Sequence, residues 1–388
     1  MSVDTLAPLV ESVATLATQV RDDAAAIEQA GRLPEPLVGR LAELGVFRLA
    51  APRSAGGLEA DPLTLCTVVH DLARADGSVG WCAMIAAATS VTLGHLGERV
   101  AADLLADPGF LIAGVAAPLG RARPVDGGYR LTGRWAFASA SRHATWLVLG
   151  AVLVDDTGPV TEPTGRPAVR HLVVPAAEVL SHDTWQVAGL RATGSDDVEA
   201  RDLFVPADRS FSLFGPLPPR PGPLYAFPVF SYLSLGVGAA ALGIARAAVD
   251  EIGRLARAKP VPGQGGTIAG RPAVRTAVAR AEALLGSGTA LLRATVAECW
   301  RTALAGDPVT LEQRARLRLA AANAAASAAA AVDLAYQAGG GTSVYASSPL
   351  QRHFRDVHVA TQHAMVGPEI VELAGAVLLG QQVDTARL

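Results

Sequence analysis

The spacing of the apolar residues changes twice along this chain, and this limits its possible folds more than any other feature. In roughly the first hundred residues, apolar side chains recur at helical spacings, as in Leu9, Val13 and Leu16. Across residues 110–215, short apolar runs of strand length alternate with turn clusters. Helical spacing returns near Tyr225 and continues to the end. The pattern predicts an α+β protein in which helical, β and helical parts follow one another.

These changes predict three domains. We expect an N-terminal α-helical domain at residues 1–109, a β-barrel or β-sandwich domain at 110–215, and a C-terminal four-helix bundle at 224–388. A proline-rich stretch, Pro216 to Pro223, marks the second boundary.

Composition excludes several classes of function. The 388 residues carry 33 Lys+Arg against 36 Asp+Glu, a net charge of −3 without a basic block, which argues against a nucleic-acid partner. Half the residues are hydrophobic, so the chain can bury a core and is not disordered. Lys259 is the only lysine, which disfavours Schiff-base chemistry and a phosphate-binding P-loop.

The cysteines and the N-terminus predict a cytoplasmic protein. Cys66, Cys82 and Cys299 are far apart and no histidine cluster accompanies them, so we expect a reducing compartment and no metal site. No secretory signal is visible. The uncharged runs 77–94 and 221–245 approach the length that spans a bilayer, but they are rich in small residues, which favours buried helices over a membrane location.

Two segments of the β part combine aromatic rings with small and hydroxyl-bearing residues, at 131–141 and 185–198. Aromatic faces beside Ser, Thr and backbone N–H groups suit a flat heteroaromatic ligand. Two strands with turn residues and core tryptophans would explain the same composition. No Gly-x-Gly-x-x-Gly lies between a strand and a helix, so a nicotinamide-binding Rossmann site is disfavoured.

The order of three motifs resembles the acyl-CoA dehydrogenase superfamily over nearly the whole chain. They are Gly133-Arg-Trp-Ala-Phe-Ala-Ser139, Gly189-Leu-Arg-Ala-Thr-Gly-Ser195 and Phe354-Arg355-Asp356. The resemblance implies a homotetramer, arranged as a dimer of dimers, with a flavin between the β-domain and the bundle. The implied ring contacts are Trp135, Phe137, Ser139, Trp185, Thr193, Gly194 and Ser195. Gln337, Gly340 and Gly341 resemble the family's Gln-x-x-Gly-Gly element, which meets the dinucleotide or phosphate end in a neighbouring subunit.

The base required for acyl-CoA dehydrogenation is missing from both of its family positions. That reaction needs a carboxylate beside the flavin. Ala364 stands at the common position, eight residues beyond Asp356, and the alternative region 225–245 contains no carboxylate. Glu369 and Asp250 remain as bases at unconventional places.

The segment 355–364, which contains His363, resembles the corresponding segment of the reduced-flavin monooxygenases of the superfamily. A histidine with a near-neutral pKa would either protect a flavin C4a-hydroperoxide or deprotonate the substrate, and Ser139 would bond near flavin N5. A solvated or helix-capping histidine is the alternative. The cofactor expected from this resemblance is reduced FMN or FAD, not covalently bound, with O₂ as co-substrate.

The sequence therefore predicts a flavin-dependent monooxygenase that hydroxylates a small organic substrate, aromatic or polycyclic. A separate NAD(P)H-flavin reductase is needed because the chain has no nicotinamide fold. The expected substrate pocket consists of Trp81, Thr89, Phe227 and Phe230, and the catalytic residues are His363 and Ser139. Alternatives are an FAD-dependent acyl-CoA dehydrogenase with a relocated base, an amine N-oxygenase of the same fold, and a non-catalytic binding subunit.

Overall fold

The computed structural model describes residues 6–163, 165–214, 222–263, 265–386 and 388. Within them, five helices precede eight strands and five more helices follow. The first helices are α1 (Ala7–Ala30), α2 (Glu35–Glu43), α3 (Pro62–Ala75), α4 (Gly77–Thr89) and α5 (Glu98–Leu105). The expected helical, β and helical order is confirmed. Residues 216–221, which are most of the predicted proline-rich boundary, lie outside the described residues.

Helix α4 is the apolar run that the sequence marks as buried. Asp76 separates it from α3 and caps its start, because its side chain accepts hydrogen bonds from the backbone N–H groups of Ser78 and Val79. Ile85 and Thr89 are the half-buried exceptions in a helix that is otherwise buried. Together with Trp81 they follow one another at four-residue spacing, so they share one helix face.

Among the described residues, three helical stretches are long and apolar enough to cross a membrane by length and composition. They are Gly77–His95, Val229–Ala258 and Leu311–Val344. Their apolar windows are 89%, 83% and 56% buried inside the protein, so packing within this fold accounts for most of the apolar composition of the first two.

The middle part is one mixed sheet of eight strands. They are β1 (Ile112–Val125), β2 (Gly128–Trp135), β3 (Trp146–Asp155), β4 (Gly158–Pro159), β5 (Val169–Pro175), β6 (Leu180–His182), β7 (Asp197–Pro206) and β8 (Ser210–Phe211). The order is β6-β7-β2-β1-β3-β5-β8, with β4 beside β3 and with β1 parallel to β3. This mixed sheet forms the predicted β part of the fold. The first and last strands in its order, β6 and β8, are three and two residues long.

The C-terminal part contains three long helices and two short ones. They are α6 (Val229–Ala258), α7 (Pro272–Leu304), α8 (Leu311–Gly339), α9 (Pro349–Ala360) and α10 (Pro368–Leu378). The expected four-helix bundle gains α9, which packs against α6 and α8. One hydrophobic cluster runs without interruption through all three parts of the chain. The division into three domains stays a prediction.

Candidate active site

Ser139, Ser195 and Thr193 form a chain of buried hydroxyls between the sheet and α4. Ser139 Oγ lies 2.7 Å from Ser195 Oγ, which lies 2.7 Å from Thr193 Oγ1. At one end, Trp81 Nε1 donates to Ser139 Oγ at 3.2 Å. At the other end, Thr193 Oγ1 donates to the Leu190 carbonyl oxygen at 2.8 Å. The three hydroxyl residues predicted from the two motifs are therefore brought together.

The two motif segments contain residues with unusual backbone angles. Phe137 and Leu190 have φ angles of +63° and +49°, values that non-glycine residues rarely adopt. Gly194 also has a positive φ, and a Cβ there would lie 2.7 Å from Arg142 Cδ. The Arg142 side chain uses this space, because its Nε donates to Asp196 Oδ2 at 2.5 Å. Because Gly194 has no side chain, it leaves room for the Arg142–Asp196 ion pair. Its expected contact with a flavin ring stays a prediction.

Phe137 and Trp185 leave apolar ring surface uncovered beside the hydroxyls. The Phe137 side chain is 72% exposed, and its ring lies 6.2 Å from the Trp185 ring in an edge-to-face arrangement. The Trp185 indole is fixed because its Nε1 donates to the Leu190 carbonyl at 3.0 Å. An exposed aromatic ring beside buried polar groups is a feature of ligand sites.

Trp135 has a different position from the one expected of it. It ends β2 fully buried, and its Nε1 donates to the Gly150 carbonyl at 2.7 Å. Its ring fills the space over Gly120 and Gly133, where an added Cβ would meet it within 3 Å. Because no part of the ring is accessible, the expected contact between Trp135 and a ligand is corrected to a core role.

His363 lies in the turn after α9, next to Trp81. The two rings are 5.6 Å apart in an edge-to-face arrangement. The backbone N–H of Met365 donates to His363 Nδ1 at 3.2 Å, so the neutral ring carries its proton on Nε2. Burial, and next the Arg318 guanidinium, lower the pKa of His363 to about 4. The expected near-neutral pKa is therefore wrong: the imidazole is neutral at pH 7.

Trp81 connects the two candidate catalytic residues. Its indole N–H reaches Ser139 while its ring edge meets His363. The same face of α4 continues through Ile85 to Thr89, and these two residues are half-buried. Ile85 and Thr89 are thus the partly accessible residues of α4, whereas Trp81 is buried.

Phe227 and Phe230 line a cavity of about 540 Å³ near the start of α6. Phe230 stacks on Phe214, and Phe227 contacts Tyr232 and Trp300. Trp81, Thr89 and His363 are not among the residues that line this cavity. The four residues predicted for the substrate pocket thus fall into two groups, one on α4 and one beside α6.

Asp356 is a site residue that the sequence reasoning used only as a motif landmark. It is buried in α9, and its Oδ1 accepts the backbone N–H of Leu190 at 2.6 Å, which holds the segment that contains the hydroxyls. Burial, and next the nearby Asp76, raise the pKa of Asp356 to about 7. The sequence contained a signal for this residue, because Asp356 is part of the third motif, Phe354-Arg355-Asp356.

Gln337, Gly340 and Gly341 lie exposed at the carboxyl end of α8. The hydrogen bonds and ring contacts found within the described ranges do not join them to the hydroxyl chain. Lys259 lies beside them, since its Nζ donates to the Gly339 carbonyl at 3.0 Å. Within the part of the chain that the structure describes, this element does not contact the hydroxyl chain, and its expected contact with a flavin stays a prediction.

The two carboxylates considered as unconventional bases are engaged elsewhere or exposed. Asp250 accepts hydrogen bonds from Arg74 and Arg246. Glu369 lies exposed in the first turn of α10. Neither geometry supports removal of a substrate proton at Ser139 and His363.

Two family models match parts of this chain. Residues 7–99 match the family model described as the acyl-CoA dehydrogenase N-terminal domain, and residues 235–368 match that of the acyl-CoA dehydrogenase C-terminal domain. Indole-3-acetate monooxygenase from Pseudomonas putida is 33% identical over 339 residues, 87% of this chain and 85% of that protein. The oxygenase subunit HsaA of a flavin-dependent monooxygenase from Rhodococcus jostii is 30% identical, covering 90% of this chain and 92% of that one.

A solved structure of XiaF from Streptomyces, in complex with FADH2 and glycerol, superimposes with a TM-score of 0.88. It is 26% identical, and the match covers 98% of this chain and 96% of that one. The chain therefore belongs to the acyl-CoA dehydrogenase superfamily. Within that superfamily it is a flavin-dependent monooxygenase, an oxidoreductase that works with reduced flavin and O₂.

Proposed function

We propose that this chain is the oxygenase component of a two-component system that hydroxylates a small aromatic compound at the Ser139–Trp81–His363 site. The observation that carries the proposal is that Trp81 contacts both other residues, so the hydroxyl chain and a neutral imidazole face one site. Ala364 occupies the family position of the dehydrogenase base, which favours oxygenation over acyl-CoA dehydrogenation.

The residues present fit a flavin ring. The exposed Phe137 ring and the half-buried Trp185 supply apolar surface for an aromatic face. Ser139 presents a hydroxyl beside that surface. When bound, a reduced flavin supplies the electrons that activate O₂ for transfer of one oxygen atom to the substrate. Phe137, Trp185 and Ser139 would hold the ring, whereas Thr193 and Ser195 act behind Ser139.

His363 acts in this proposal as a neutral hydrogen-bond donor. Its Nδ1 is occupied by the Met365 N–H group, which leaves the Nε2–H group for a substrate oxygen or for the oxygen being transferred. The buried side chains of α4 exclude water from this side of the site. A low pKa keeps the ring uncharged throughout the physiological range.

The face of α4 that carries Trp81, Ile85 and Thr89 is proposed to receive the substrate. Thr89 is half-buried and brings one hydroxyl to this face, and the buried Trp81 ring lies at its other end. Phe227 and Phe230 would contact a substrate only if it reaches the cavity beside α6. A flat aromatic molecule with one polar group suits such a surface, and a relative acts on indole-3-acetate.

The proposal also covers the partner, the location, the assembly and the cofactor of the enzyme. A separate NAD(P)H-flavin reductase delivers the reduced flavin. The enzyme works in the cytoplasm. It assembles as a homotetramer in which Gln337, Gly340 and Gly341 complete a neighbour's flavin site, in accord with their exposed position. FMN and FAD are both candidates for the cofactor.

The test is product formation under ¹⁸O₂. The purified protein, a flavin reductase, NADH and either FMN or FAD are incubated with a panel of phenols and indoles, and products are analysed by mass spectrometry. The proposal predicts a hydroxylated product that carries one ¹⁸O atom and is lost in Ser139→Ala. Acyl-CoA oxidation, without oxygen incorporation into any panel member, would overturn it.

A further inference from the structure

The hydroxyl chain runs between two groups whose hydrogen-bonding roles are fixed. The Trp81 indole N–H can only donate, and the Leu190 carbonyl can only accept. Each of the three hydroxyls between them has a single proton. The chain therefore has only one consistent arrangement of protons.

That arrangement follows from the Leu190 end. The Thr193 hydroxyl donates its proton to the Leu190 carbonyl, so in the hydrogen bond between Thr193 and Ser195 the Ser195 hydroxyl must be the donor. The bond between Ser195 and Ser139 must in turn use the proton of Ser139. Ser139 also accepts from Trp81 and so retains one lone pair and no free proton. Toward a ligand, Ser139 acts only as an acceptor.

We infer that Thr193 is a positioning residue that makes the site select the reduced flavin over the oxidised one. This inference rests on the proposed function. A reduced flavin carries a proton on N5 and can donate to Ser139, whereas the N5 atom of an oxidised flavin has only a lone pair. Two lone pairs facing each other repel. Ser139 is the most accessible of the three hydroxyl residues, at 7% against 1% for Thr193 and 2% for Ser195, so the ligand meets the chain there.

Thr193→Val tests the inference because it removes the hydroxyl that donates to the Leu190 carbonyl and accepts from Ser195, while it keeps the side-chain shape. The Ser195 proton then becomes available to Ser139, which can turn its own proton toward an oxidised flavin. We expect the Kd of oxidised FMN or FAD to fall about three- to tenfold, with less change for the reduced form. The ratio of the Kd of the oxidised flavin to that of the reduced flavin therefore decreases, and the midpoint potential of the bound flavin falls accordingly.

Both Kd values are measured anaerobically by titrating the purified full-length protein with oxidised and with dithionite-reduced flavin. Thr193→Ser keeps the hydroxyl and should restore the wild-type ratio. Ser195→Ala frees the Ser139 proton by a second route and should lower the ratio like Thr193→Val, which keeps the test informative if one variant folds poorly. Thr295→Val, which removes a similarly buried hydroxyl that donates to a helix carbonyl in α7, is the matched control.

The outcomes separate this inference from the proposed function. A wild-type protein that binds the reduced flavin, with an unchanged Kd ratio in both Thr193→Val and Ser195→Ala, would overturn the inference alone. A wild-type protein that binds neither form of either flavin would overturn the proposed function and the inference with it.

Discussion

The indole N–H of Trp81, on α4, donates a hydrogen bond at 3.2 Å to Ser139 Oγ, in the turn that follows β2. The two residues come from different parts of the chain, one helical and one β. This hydrogen bond joins α4 to the Ser139 end of the hydroxyl chain. The Trp81 ring also contacts His363, in the C-terminal part, in an edge-to-face arrangement. All three parts of the fold thus meet at this indole.

Replacement of this indole should uncouple flavin oxidation from hydroxylation. Trp81→Phe keeps an aromatic ring near His363 but removes the donor to Ser139. We expect a larger share of the consumed reduced flavin to end as hydrogen peroxide, and a loss of about 1 kcal/mol in the free energy of unfolding from one buried hydrogen bond. Peroxide yield per product and urea unfolding measure the two effects. An unchanged peroxide yield would contradict the role given to this bond.

The exposed Phe137 ring should matter for binding but not for folding. Phe137→Ala is expected to weaken the binding of reduced flavin about 2- to 12-fold, the range of an aromatic pair contribution, and to leave stability within about 0.5 kcal/mol because the side chain is 72% exposed. Anaerobic fluorescence titration measures the Kd. Phe204→Ala is the matched control, an exposed phenylalanine on β7. Equal effects of the two variants on the Kd would remove Phe137 from the site.

The pH dependence of turnover should show no titration of His363 near neutrality. Its pKa is lowered to about 4, so the ring is neutral above that value and becomes charged only below it. We expect kcat to be free of any His363-dependent inflection between pH 6 and 8. His363→Asn, whose side-chain oxygen can accept the Met365 N–H, should lower kcat without changing the shape of the profile. A wild-type inflection near pH 6.5 that vanishes in His363→Asn would show instead that the imidazole acts as a base.

Asp356 should make stability fall as the pH rises. Its pKa is raised to about 7 in the fold, so its contribution is complete below the unfolded value near 3.8 and is lost as the pH rises through 7. Buried histidines with lowered pKa values act in the opposite direction, so the difference between variant and wild type is the useful quantity. Relative to wild type, Asp356→Asn should gain roughly 1–3 kcal/mol of unfolding free energy between pH 4.5 and 8.

Urea unfolding at several pH values measures this difference. Asp208→Asn, on the exposed surface, serves as the control. A constant difference between Asp356→Asn and wild type across this range would mean that the Asp356 carboxyl stays ionised in the fold.

Local sequence patterns were sufficient to predict the helical, β and helical order, and the family resemblance implied that Ser139, Thr193 and Ser195 belong to one site, where the structure joins them by hydrogen bonds. The sequence patterns alone had further limits. They were insufficient to distinguish Trp135 from Phe137, because both aromatic residues belong to one motif. The structure separates them: β2 ends at Trp135, which is buried, and the positive φ of Phe137 leaves its ring exposed. The strand order of the sheet depends on pairings between distant segments, which the sequence pattern does not contain.

The electrostatics of the site were also beyond the sequence. The pKa of His363 depends on its burial and on Arg318, which lies on a different helix. The pKa of Asp356 depends on its burial and on Asp76, which is far away in the chain and close in the fold. Residue type indicated which groups can titrate, but only the packing determined the direction in which each pKa moves.

The central claim is that this site uses reduced flavin to oxygenate a substrate, and rapid mixing tests it most directly. The protein with anaerobically reduced FMN or FAD is mixed with oxygenated buffer, with and without the aromatic panel, and the flavin absorbance and the peroxide released are followed. The account predicts that reoxidation and peroxide release are slower than with free flavin, and that Ser139→Ala and His363→Ala each remove this protection. Reoxidation as fast as that of free flavin, with one peroxide per flavin in the presence of every substrate tested, would contradict it.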